Sequence, residues 1–158
     1  MGQYYLAANL DKREHVSAWT LHAGAKLMEI ACSAEGVACA LAILLSDGNG
    51  RGGGDLRSTN AVVGSWAGDR VVLVGDYADP RDLPGVGPVN LYQYAAEHFT
   101  DISLDVASAM FDDPSVAREW REHDADLVQK IEAHRLVRDA EERVRLLAGA
   151  DPKLFELQ

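Results

Sequence analysis

The stretch Ala61–Tyr77, AVVGSWAGDRVVLVGDY, decides how the fold is read. Val62, Val63 and Trp66 lead into Ala67–Gly68–Asp69, and Val71, Val72, Leu73 and Val74 follow. β-Branched and aromatic residues on both sides of a short turn predict two strands of a tight hairpin. The second run is apolar throughout, as in a strand covered on both faces. It ends at Gly75–Asp76–Tyr77.

Immediately upstream lies Asp47–Asp55, DGNGRGGGD. Its glycines, Gly48, Gly50, Gly52, Gly53 and Gly54, are too dense for any regular element, so this is a loop that feeds the hairpin. Before it, Val37–Leu45 is nine residues with no polar side. Its alanine content and length favour a buried apolar helix over a strand. Tyr4–Leu10 reads as a first strand. Val16–Cys32 reads as a helix capped by Ser17, with Leu21, Ala25, Met28 and Cys32 at the spacing of a core-facing stripe and Gly24 interrupting it. Ser33–Gly36 separates the two helices.

Downstream, Asp79–Pro88 is a proline- and glycine-rich loop. Asn90–Phe99 is a short helix or turn with Tyr94 and His98 on one side, and Ile102–Met110 is another short helix. Asp113 followed by Pro114 is a helix start, because the carboxylate accepts orphan amide hydrogens and proline suits the first helical position. Val116, Trp120, Leu127, Ile131, His134 and Val137 then recur at helical spacing. They predict a long C-terminal helix, or a helix pair, over 114–147, stopped near Gly149. The element order predicts a single α+β domain over 1–158: a small antiparallel sheet with a central hairpin and helices on one face.

The 158 residues carry a formal net charge of −10. That sign opposes nucleic-acid binding, which relies on Lys and Arg replacing counterions. Imitation of DNA by an acidic face is disfavoured as well, since arginines intervene throughout 118–145. Val37–Leu45 is the longest strictly apolar run, far below the roughly 20 residues that span a bilayer, and the N-terminus lacks the basic-then-apolar pattern of a leader. The expectation is a cytoplasmic protein without membrane or nucleic-acid partners. Cys32 and Cys39, placed on one helix about two turns apart, read as small core fillers beyond disulfide reach.

The glycine-rich loop invites comparison with phosphate-binding loops, but the lysine of GxxxxGK and the strand-to-helix context are missing. What remains is a set of backbone amides around Arg51, Gly52 and Gly53 suited to an anion. Asp47, Asp55, Asp69 and Asp76 fall at element ends, and Asp55 with Asp76 is the best carboxylate pair for acid–base work or a cation. The bland reading for each is a turn, a cap or a salt bridge to Arg51 or Arg70. Trp66 and Tyr77 could wall a ligand, although Trp66 suits a core position better. Tyr4, Tyr5, Tyr92 and Tyr94 suggest that the first strand and the Asn90 segment flank one groove. None of His15, His22, His98, His123 and His134 has HExxH spacing, no zinc cluster is spelled out, and no GxSxG elbow marks a nucleophile. No cofactor or metal is expected.

The phrases GQYYLAANLDK (2–12), DGNGRGGGDL (47–56) and GSWAGDRVVLVGDYAD (64–79) resemble a group of small bacterial and phage proteins with no established activity. The resemblance covers roughly residues 2–99. It implies no catalytic residue or ligand, and it suits a mobile-element setting with a host-protein partner. The leading functional expectation is a non-catalytic binding or regulatory protein acting through protein contacts, with homodimerisation through the C-terminal helix as one form. The alternative is an enzyme acting on a small or phosphorylated substrate at Arg51, Gly52, Gly53, Asp55, Trp66, Asp76 and Tyr77.

Overall fold

A computed structural model describes residues 2–47, 56–79 and 90–150. The first strand, β1 (Tyr5–Asn9), turns back antiparallel into β2 (Glu14–Val16). Asn9 builds that turn. Its side-chain carbonyl accepts from the amides of Asp11 and Lys12 at 2.9 Å each, while its amide donates to Asp69 at 2.8 Å. Fully buried, Asn9 thus satisfies itself by closing the hairpin locally, as asparagine does in turns. The sheet's hairpin is therefore β1–β2, not the predicted pair at 62–74.

Val71–Gly75 does form a strand, β3, but it pairs antiparallel with β1. Val62–Trp66 forms no strand: 61–69 is a run of turns, pinned by hydrogen bonds such as Ser65 N to Val62 O and Asp69 N to Trp66 O. The reason lies in the helix before it, α2 (Val37–Leu45). The amides of Gly64 and Trp66 donate to the Ile43 and Leu44 carbonyls at 2.9 Å, capping acceptors that a helix end leaves open. Backbone that caps a helix cannot also pair in a sheet.

The helix α2 is apolar as predicted but not enclosed. It buries Val37, Ala40, Ile43 and Leu44, while Ala42 and Leu45 are exposed. The expected helix over Val16–Cys32 shrinks to α1 (Leu27–Cys32). Val16 ends a strand, Ala18–His22 turns, His22 adopts a left-handed φ of 53°, and Ala25 accepts from the Tyr5 amide beside β1. Consequently Met28 and Cys32 face outward, and Ile30 is the buried residue of α1. The two cysteines sit on different helices, and Cys32 is no core filler.

In the third described stretch, α3 (Leu91–His98) is capped by Asn90, whose side chain accepts from Gln93 N. Then β4 (Thr100–Asp101) joins the sheet beside β2, and α4 (Ser103–Met110) follows. Strand order is β3-β1-β2-β4, with β2 and β4 parallel, so the sheet is mixed and not purely antiparallel. Helices cover both faces, not one. Ala7 and Val16 point into the larger core with α2 and α4, whereas Leu6, Ala8 and Val74 pack with Leu91 and Ala95 of α3. This explains the unbroken apolar run of β3: Val71 and Leu73 serve the first core, Val72 and Val74 the second.

The C-terminal region is two helices, α5 (Pro114–His123) and α6 (Ala125–Ala150). Asp113 caps α5 as predicted, accepting from Ser115 N and Val116 N. Asp124 makes the break: its amide donates to Trp120 O, ending α5, and its carboxylate accepts from Leu127 N, starting α6. Gly149 does not stop α6. Ala117, Trp120, Leu127, Val128 and Ile131 pack into the chain's own core, so the Val116–Ile131 part of the expected dimer seam is already covered.

Candidate functional site

Among the residues singled out from the sequence, Arg51, Gly52, Gly53 and Asp55 lie outside the described residues. Trp66 is fully buried and donates its Nε1 hydrogen to Glu14 at 2.7 Å, so it is a core residue and not a ligand wall. Asp76 is used locally. Its carboxylate accepts from the Tyr4 amide at 3.0 Å, and its own amide donates to Tyr4 O at 2.9 Å. Asp69 meets Lys12 at 2.9 Å as well as Asn9, and these two partners hold its carboxyl below the ordinary range, Asn9 contributing most. Tyr77, in contrast, is exposed. The first strand and the Asn90 segment do meet, but as packed core between β1 and α3, not as the walls of a groove.

The exchange between Asp76 and Tyr4 fixes one end of an exposed apolar surface. Tyr4 also forms an isolated antiparallel bridge with Lys26, which places Leu27 and Met28 next along the chain. The ring of Tyr4 lies 5.3 Å from that of Trp19, tilted by 56°. Trp19 is 60% exposed and Met28 68%, and Leu27 and Tyr4 are also open to solvent. The backbone beneath them is bonded: Tyr5 N to Ala25 O at 2.8 Å, and Lys26 N to the Glu29 carboxylate at 3.1 Å. Large apolar side chains thus stand on a fixed frame. Trp19 and Leu27 carry no periodic signal in the sequence, and a helical period extended through Gly24 puts Met28 inside, where the structure has it exposed. Gly24, which weakens a helix, is the signal against that period, and in the fold a Cβ there would come within 2.4 Å of Glu29 Cβ.

A concavity of about 920 Å³ lies where α4 and the 60s turns face α6. It is lined by Glu14, Ser65, Asp105, Arg138, Glu142 and Arg145, among others. Acidic side chains outnumber basic ones along it, but its two aspartates nearest α4 are paired. Asp105 accepts from His134 Nε2 at 2.9 Å and from Arg138 Nε and Nη2 at 3.0 Å each. Burial raises the Asp105 carboxyl, but the hydrogen bonds from Arg138 and His134 outweigh it and hold the group below the usual carboxylate range. Asp112 pairs with Arg135 at 2.8 Å and accepts from Ser58. These contacts tie α4 to α6.

Among the described residues, no three His, Cys, Asp or Glu side chains are grouped to hold a metal ion, and no helix is long and apolar enough to cross a membrane. No family model, curated protein or solved structure matches the chain.

Proposed function

We propose that this protein works without catalysis, by binding another protein through the Tyr4–Trp19–Leu27–Met28 surface. The observation that carries the reading is the exposed Trp19, its ring tilted against that of Tyr4 beside a bonded backbone frame. Tryptophan, tyrosine and methionine are the residues enriched at the centres of protein interfaces. A frame already ordered before binding lowers the entropy lost on association. The net charge of −10 favours a protein surface over nucleic acid as partner. The alternative, turnover of a small or phosphorylated substrate at the glycine-rich loop, rests on Arg51 and Asp55. It gains nothing from Asp76, whose carboxylate already holds the Tyr4 amide.

A photo-crosslinking amino acid placed at position 19 tests this in the organism that encodes the chain, with a second probe at the exposed Glu132 as control. The expected result is one discrete heavier adduct from position 19, absent from position 132 and lost when Met28→Glu is added. Equal labelling from both positions, or no adduct at position 19, rules the surface out.

A further inference from the structure

We draw no further inference here: the strongest candidate, the exposed apolar side of the second half of α6 at Val137, Val144 and Leu147, is an unpartnered helix face, and nothing in the structure shows what covers it.

Discussion

Gly64 shows how far one residue can commit the chain. Its φ is 72°, and an added Cβ would stand 2.6 Å from the Ser46 carbonyl oxygen, a backbone atom with little room to retreat. Gly68 has a similar φ of 85° with open space around it. Gly64→Ala should therefore lower unfolding stability by about 2–4 kcal/mol, combining left-handed strain with displacement of the helix end. Gly68→Ala should cost only the strain, about 1–2 kcal/mol. Denaturant midpoints of the two variants check the difference, and equal losses would show that the approach to Ser46 relaxes freely. The turn role of Gly68 is legible in Ala67–Gly68–Asp69, but that of Gly64 is not, because a glycine between Val63 and Ser65 reads equally well as part of a strand. Asn9 falls within the expected strand Tyr4–Leu10, and its position there does not announce that it is fully buried and bonded to Asp69.

At the scale of elements, Asp124 and Asp105 organise the C-terminal helices. Asp124 ends α5, caps α6, and has the His22 Nδ1 atom 3.0 Å from its carboxylate. Asp124→Ala should destabilise the fold by about 1 kcal/mol or somewhat more, since one carboxylate serves both the cap and the bond to the 18–22 turn. A thermal melt checks this, and an unchanged midpoint would mean that α5 and α6 can fuse without cost. Asp105 joins α4 to α6 through Arg138 and His134. Its folded carboxyl titrates below its ordinary value of 3.8, so the native state favours the ionised form. The stability it adds is complete above 3.8 and is lost as pH falls through the lower folded value. Asp105→Asn should thus be less stable near neutrality and should show a shallower loss on acidification below about pH 4. Urea unfolding at stepped pH measures both, and parallel acid profiles for the two proteins would remove Asp105 from the account. The Asp113–Pro114 start is readable because capping is local, whereas the Asn90–Phe99 segment reads equally as a helix or a turn. The sequence leaves one helix or two over 114–147 equally open, because Asp124 acts through residues on both of its sides and through His22.

For the whole molecule, burial along α6 sets an order of local stability. Leu127 and Ile131 sit in the main core, whereas Val144 and Leu147 are exposed. Amide hydrogens over 125–133 should exchange only near global unfolding, while those over 140–147 should exchange far faster in dilute protein. Hydrogen-exchange mass spectrometry checks this, and uniform protection along α6 in the monomer would show that its second half is stabilised by the domain. The apolar content, the helix start at Asp113, the short helix at 103–110, and the strands near 5–9 and 71–75 all follow from the sequence, because their signals lie within a turn or a strand of the residues that carry them. What the tertiary structure decided was partnership. The amides of 64 and 66 cap α2 instead of pairing with β3, Tyr4 is joined to Asp76 and Lys26 from distant parts of the chain, and α3 closes the second face of the sheet. Each choice turns on which of two far-separated groups satisfies a backbone donor or covers an apolar face. Periodicity along the chain carries no record of that, so the outward Trp19–Met28 surface became visible only once the folded chain had made its pairings.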